Sequence, residues 1–405
     1  MRRIIFLNRY FFPDFSATSQ ILGDLAFHLA ETGSRVAVVT SRQRYDDAQA
    51  DLSAREEIGG VEIHRIATTQ FGRSGLIGRG FDYLSFYRSA YRQIMALAEP
   101  GDVLVTKTDP PLICVPALRA ARRRGLHLIN WLADLYPEVA AELGVPLLKG
   151  PVAGVLFHLR NDALRAAAMN VVLSHRMGDI VRAHGVSEDR VRFIHNWCDD
   201  GDITPLAPAD TPLRREWGIA DRFVVGYSGN LGRGHEFETL LGAAERLRDL
   251  PHILFLFIGG GHLLGELVRQ VKERRLGEMF RFMPYQDRAR LKHSLAVPDL
   301  HWISQRPELE GMIVPSKFYG IAAAGRPIAC ITAPSGEFAR LVTQHSCGIV
   351  VEPGNPALLA EKLRHLATAP AELAGMGRRA RLMLDTLFTR RLAFDQWREM
   401  LETIG

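Results

Sequence analysis

Short, wholly apolar runs alternate with longer segments of helical period through the first half of the chain. The run at 4–7 (IIFL) precedes a segment that predicts a helix over 19–32, and the run at 36–39 (VAVV) follows Gly33. The runs at 102–106, 126–130, 170–174 and 191–195 repeat the theme (DVLVT, LHLIN, NVVLS, VRFIH). Strands that are apolar throughout and separated by helices predict a parallel sheet covered on both faces. That is a doubly wound α/β domain.

The stretch 196–216 changes character, with three prolines, four aspartates and little periodicity, and reads as a linker. The strand pattern then restarts at 223–228, 253–258, 280–283, 301–304, 328–332 and 348–352, predicting a second domain of the same kind. A last helix is expected over about 390–403, with an apolar stripe of Leu392, Phe394, Trp397, Met400 and Leu401. The domains are then 1–200 and 217–388, joined by 201–216, with a terminal helix in 389–405. Two such sheets are expected to face each other across a cleft, with ligands at the strands' carboxyl ends.

Composition narrows the function classes. With 405 residues, 47% hydrophobic and 23% charged, each half can bury its own core. The net charge of +5 is too mild for a dense nucleic-acid stripe, and no nucleic acid is expected as a partner. An acidic small ligand or an anionic membrane surface fits it. Cys114, Cys198, Cys330 and Cys347 are far apart and form no C-x-x-C pair, so reduced thiols in a cytoplasmic protein are expected, not a disulfide frame or zinc site. The apolar start is too short for a signal peptide. The longest greasy stretch is broken by Gly259-Gly260-Gly261 and His262, so no membrane span is expected.

Several segments carry candidate chemistry. YSGNLGRGHEFETLL (227–241) leaves a strand and opens a helix. Gly229, Gly232 and Gly234 would let backbone amides reach an anion, the helix start would add positive potential, and Asn230, Arg233 and His235 would add side-chain contacts. A tight strand-to-helix turn is the plainer reading. Gly259, Gly260 and Gly261 form a second glycine turn, and Gly265 falls one position late for a dinucleotide fingerprint. At 309–327, Ser316 is expected to cap a helix that Pro315 begins, leaving the amides of 316–318 for a phosphate, with Lys317 and Tyr319 beside them. Glu308 and Glu310 lie upstream, where a sugar hydroxyl could be gripped; a capped core helix with solvated carboxylates is the alternative.

Asp134 ends a strand, where an acid could orient or deprotonate an acceptor hydroxyl, or cap a turn before Pro137. Ser16 and Thr18 give the first strand-to-helix loop the small polar surface a diphosphate needs; a helix cap by Thr18 or Ser19 would serve as well. Arg73, Arg79, Arg88 and Arg92 mix with Phe81, Tyr83, Phe86, Tyr87 and Tyr91, which suits an anionic membrane interface. Leu84, Tyr87, Tyr91 and Ile94 also recur at core spacing. RAARRR (119–124) adds a second basic cluster, and HNWC (195–198) lacks the partners of a metal site.

Together, YFFPDFSATSQILGDLAFHLAETG, HNWCD, YSGNLGRGHEFETLL and PSKFYGIAAAGRP resemble the family-4 retaining glycosyltransferases, specifically the bacterial polysaccharide branch with colanic acid fucosyltransferase-like proteins. The resemblance spans nearly the whole chain. It implies the GT-B fold, with two Rossmann-like domains, an amino-terminal acceptor domain, a carboxy-terminal nucleotide-sugar domain and a last helix crossing back. It implies transfer from a UDP- or GDP-sugar to a glycan or polyprenyl-diphosphate-linked acceptor at the inner face of the plasma membrane. No cofactor and no metal are expected, and the departing phosphate helps take the acceptor proton. In this reading Asp134, Glu310 and Lys317 are the catalytic candidates. The family's loop Arg and Lys fall on Asn230 and His235, and its two glutamates on Met312 and Gly320. Those departures keep two alternatives open: a non-catalytic donor-binding subunit, or a sugar-nucleotide epimerase of the same fold.

Overall fold

The apolar runs form the strands of two sheets, one in each of two structural units. The computed structural model describes residues 2–404 apart from 15, 46, 48, 72–74 and 149. Unit 1 comprises Met1–His195, Met312–Val314 and Ala393–Gly405; unit 2 comprises Asn196–Gly311 and Pro315–Leu392. Unit 1 thus draws most of the final helix, Arg390–Thr403, from beyond unit 2, which ends at Leu392.

In unit 1 the strands are β1 (Arg3–Leu7), β2 (Arg35–Ser41), β3 (Arg55–Ile58), β4 (Val61–Ile66), β5 (Val103–Thr106), β6 (His127–Leu132), β7 (Met169–Val172) and β8 (Val191–Phe193). They lie in the order β3-β4-β2-β1-β5-β6-β7-β8, parallel except for β3. The β3–β4 hairpin turns on Gly59 and Gly60, both at positive φ, as a two-residue hairpin requires. The helices Leu76–Leu97, Cys114–Arg124 and Pro151–Ala166 share one buried cluster with this sheet, through Phe86, Ala90, Ile94, Ala117, Ala121 and Ala163. The last helix packs into the unit by Trp397, whose ring centroid is 4.6 Å from that of Trp131; both are fully buried. The first helix runs Ala17–Glu31, and its His28 stacks on Phe394 at 4.4 Å.

Unit 2 holds β9 (Phe223–Asn230), β10 (Ile253–Gly260), β11 (Phe280–Met283), β12 (Leu300–Ser304), β13 (Ile328–Ile331) and β14 (Gly348–Val351), all parallel, in the order β11-β10-β9-β12-β13-β14. In each unit the order reverses beside its first strand, between β1 and β5 and between β9 and β12. In open α/β sheets such reversal points open a crevice at the strands' carboxyl ends. The four cysteines are unpaired.

Candidate functional site

In unit 2, β9 ends at Asn230 and the chain turns through 231–237 into the helix Glu238–Arg246. Tyr227 anchors this turn from within the core, stacked on Phe257 at 4.9 Å and tilted against Trp302 at 4.6 Å. Its hydroxyl donates to the Asn230 carbonyl at 2.7 Å. His235 Nδ1 lies 2.7 Å from the Ser304 carbonyl, which can only accept, so Nδ1 carries the proton. Nε2 is then an acceptor, and Lys317 Nζ lies 3.5 Å from it, over the Tyr227 ring at 5.0 Å from the centroid. Burial lowers the Lys317 pKa to about 8. Burial, reinforced by the Lys317 charge, lowers that of His235 to about 4. At neutral pH the cluster is therefore one ammonium against a neutral imidazole and a neutral phenol.

The same turn carries backbone donors. In the turn, the amides of Leu231, His235 and Glu236 are engaged by the Gly260 carbonyl, the Gly232 carbonyl and Ser304 Oγ. Among the described residues, the amides of Gly232, Arg233 and Gly234 donate to no protein acceptor. The expectation for the following helix needs correction, because Glu236 occupies its start: a carboxylate oxygen accepts from the Thr239 amide at 2.7 Å. The helix start already holds an anion, so the free donors are those of the loop itself.

The structure rearranges other donor-side expectations. Gly229 is the sterically tight glycine: its φ is +127°, and an added Cβ would stand 2.8 Å from Lys317 Cε. Gly232 is open, with only Asn230 Nδ2 at 3.5 Å. Asn230 and Arg233 are exposed. Gly259 pairs with Gly229, and Gly260 with Asn230, in the β9–β10 ladder. A Cβ on Gly259 would stand 2.2 Å from the Gly229 carbonyl oxygen, so this glycine serves strand approach and not ligand approach. A Cβ on Gly260 would meet the Tyr285 ring at 3.1 Å.

The helix Lys317–Ala323 begins beside Ser316, whose side chain makes no capping bond, and the Phe318 amide is taken by the Pro315 carbonyl at 3.1 Å. The expected cradle of three free amides is therefore incomplete. Tyr319 is 1% exposed, set among Phe318, Phe338 and Phe388, so it is a core residue and not a donor contact. Glu310 Oε1 accepts from the Glu337 amide at 2.9 Å, at the start of the helix Glu337–Gln344. Met312 packs in unit 1, against a cluster containing Leu132, Leu135 and Val172, and its carbonyl accepts from the Leu135 amide at 2.8 Å. The second family position, Gly320, has room: an added Cβ would touch only Leu295 Cδ1, at 3.7 Å.

In unit 1, Asp134 follows β6 and Lys107 follows β5. Both line a small cavity that also includes Tyr136 and the buried Arg160. Lys107 is 3% exposed, and its Nζ lies 3.6 Å from the Trp131 ring centroid. Burial, with Asp109 adding repulsion, raises the Asp134 pKa to about 6 against the pull of Lys107. Burial lowers Lys107 to about 7 against the pull of Asp134. The pair titrates near neutrality, as an acid–base group must. Lys107 escaped sequence reading because its meaning depends on Asp134, 27 positions on.

Asp14 fixes the first loop of unit 1: its carboxylate accepts from the Ser16 amide at 2.8 Å and from the Tyr45 amide. The helix starts at Ala17, so Thr18 and Ser19 lie in its first turn and do not cap it. Ser16 Oγ is buried without a protein partner, and Thr18 is half-buried.

The segment 76–97 is helical, with Phe86 and Ile94 in the core and Tyr87 and Tyr91 packed at its edge. Leu84, expected at core spacing, is 63% exposed, and Phe81 is exposed beside it. Arg73 lies outside the described residues. Arg122 pairs with Asp162 at 3.1 Å, while Arg119 and Arg123 are exposed. In the linker, the Asp200 carboxylate accepts from the Arg390 amide at 3.0 Å. Among the described residues, no helix is long and apolar enough to cross a membrane.

Comparison with known proteins bears on this geometry. Residues 17–197 match the model of the glycosyl transferase 4-like domain, and residues 210–383 that of glycosyl transferases group 1. The chain is 26% identical over 371 residues to the putative colanic acid biosynthesis glycosyl transferase WcaI of Escherichia coli K12, covering 88% of this chain and 90% of that one. It is 24% identical to the probable glycosyltransferase WbjE of Pseudomonas aeruginosa, covering 75% of each. Anabaena HepE, solved in complex with UDP and glucose, superposes with a TM-score of 0.76 at 16% identity over the full length of both chains. The two-unit α/β architecture is that of GT-B glycosyltransferases, and the chain belongs to the glycosyltransferase family that joins a 4-like domain to a group 1 domain.

Proposed function

We propose that the protein transfers a sugar from a UDP- or GDP-sugar to a glycan or polyprenyl-diphosphate-linked acceptor, with retention of configuration, in cell-surface polysaccharide assembly. The observation that carries this reading is the Lys317 ammonium against His235, in a turn whose amides at 232–234 are unengaged. A diphosphate leaving group needs that combination of a mobile cation and fixed N–H dipoles, which gain strength as negative charge develops on the leaving oxygen. The bond from the anomeric carbon to the diphosphate oxygen breaks, and the bond to the acceptor oxygen forms on the same face. The acceptor proton passes to the departing phosphate oxygen. Asp134 orients the acceptor hydroxyl. HepE's complex with UDP and glucose supports the donor class, and the name of WcaI supports the polysaccharide setting.

No metal or cofactor takes part in this reading, so turnover should survive EDTA. The exposed Phe81 and Leu84, with Arg88 and Arg92 on the same helix, support docking on the anionic inner face of the plasma membrane. Salt-reversible sedimentation with anionic vesicles checks it.

Thermal shift against UDP, GDP and their sugars tests donor binding, since a ligand that binds the folded state raises its stability by mass action. NMR of the product's anomeric proton tests retention. An inverted product overturns the stereochemistry, and absence of any nucleotide-dependent shift overturns the donor. Turnover of the donor without acceptor would favour the epimerase.

A further inference from the structure

Unit 1 has its own built cavity at the reversal point between β1 and β5. Arg9 follows β1, and its backbone is fixed from both sides. Its amide donates to the Asp109 carbonyl at 2.8 Å; its carbonyl accepts from the Ser41 amide at 3.0 Å and from Thr40 Oγ1 at 2.9 Å. The side chain is 9% exposed, with its guanidinium carbon 5.3 Å from the Tyr10 ring centroid and 5.4 Å from that of Tyr83. Nη2 reaches only Gln43 Oε1, at a long 3.4 Å, and Nε is buried without an acceptor. Among the described residues no carboxylate forms a salt bridge with it.

A guanidinium clamped between two rings, nine-tenths out of water and without a paired carboxylate, carries an unmet demand for an anion. It borders a cavity of about 210 Å³ that Tyr45, Arg79 and Asp109 also line. Asp82, at the same wall, already accepts from the Thr69 hydroxyl at 2.8 Å and the Phe71 amide at 3.0 Å. The space suits one sugar ring: the exposed Tyr45 ring for its C–H surface, a carboxylate for its hydroxyls and a planar fork for an anion.

We propose that this cavity binds the terminal residue of the acceptor, a hexose carrying one anionic group, with the Arg9 fork on the anion and the Tyr45 ring on the sugar. This deepens the transferase reading and rests on it. A uronate carboxylate and a sugar phosphate share the required chemistry.

Titration calorimetry with glucuronic acid, glucose 1-phosphate and glucose on the full chain tests the assignment. At least one anionic sugar is expected to bind ten- to a hundredfold more tightly than glucose; glucuronic acid leading identifies a uronate terminus, and glucose 1-phosphate leading a phosphorylated one. R9Q is expected to erase the preference. R9K, which keeps the charge and loses the fork, is expected to keep part of it and guards against a folding failure of R9Q. Glucose binding wild type as tightly as both anionic sugars overturns the proposal, as does a preference unchanged in folded R9Q. Thermal shifts with UDP and GDP, read on the same samples, report on unit 2. Their absence beside an intact sugar preference faults the donor assignment and leaves the cavity standing.

Discussion

Lys317 holds its charge against a neutral imidazole and a tyrosine ring, an arrangement that is costly until a diphosphate arrives. Lys317→Met should lower kcat ten- to a thousandfold, roughly 1.4–4 kcal/mol of barrier, with a smaller change in KM. The pH dependence has a definite sign. The working form is protonated, and the free-enzyme pKa is about 8, so kcat/KM should fall as pH rises through about 8. Bound diphosphate favours the ammonium, so the limb in kcat should sit at higher pH. Lys317→Arg should lose the limb, since a guanidinium does not titrate there. An unaltered alkaline limb in Lys317→Met would remove Lys317 from the mechanism. Gly229→Ala, strained by its φ and pressed on Lys317 Cε, should reduce turnover at least tenfold, while Gly232→Ala should stay near wild type. Sequence pattern alone could not rank these two glycines. Both lie in one Gly-rich turn, and only the fold brings Lys317, 88 positions on, against the first. Lys107 was illegible for the same reason, since an isolated lysine after an apolar strand has no meaning until Asp134 shares its cavity.

At the scale of elements, apolar continuity made the parallel strands other than β4 legible, including β9–β14 almost residue for residue. The β3–β4 hairpin went unread because REEI is largely polar at the sheet's edge, and VEIHRI, though inside the sheet, interleaves polar residues with its apolar ones. Some helix starts have partners that lie outside the local pattern. The helix Glu337–Gln344 takes its carboxylate from Glu310, 27 residues back. This separates two roles for Glu310. As a cap, Glu310→Gln should cost about 0.5–2 kcal/mol of stability and leave kcat within a fewfold. As a sugar-gripping acid it should cost a hundredfold or more in kcat without loss of stability, and paired melting and kinetic measurements decide. The helix Lys317–Ala323 permits the converse experiment. The resemblance assigns a ribose carboxylate to position 320, where an added Cβ meets only Leu295. Gly320→Glu should keep the fold and tighten UDP or GDP at least tenfold, in line with about 1.5–3 kcal/mol for a charge-assisted hydrogen bond. Unchanged affinity in the folded variant would show that the loop amides and Lys317 have taken over that contact.

At the scale of the molecule, the two-domain division and the terminal helix were readable from periodicity, but the use of that helix was not. Its stripe required a core, and nothing local said whose core. Trp397 supplies the answer: it is fully buried against Trp131, and Lys107 lies over the same Trp131 ring. The chain's last turns therefore hold up the wall on which a buried lysine of unit 1 rests. Trp397→Ala should cost about 3–5 kcal/mol, because the cavity it leaves adds to the lost burial. For a unit of this size each kcal/mol moves Tm by about 2–4 °C, so a fall of roughly 6–20 °C is expected. The loss should be confined to unit 1. Calorimetry should show its transition leaving the unit 2 transition behind, while UDP continues to raise the latter. Trp131, freed on one side, should also release Lys107 from its ring, raising that lysine's pKa toward the ordinary range as water reaches it. Followed by NMR, the Lys107 ammonium should then titrate above about 7, a change that simple destabilisation does not produce. A Trp397→Ala protein with both transitions in place would mean that the helix merely lies on unit 1 without stabilising it.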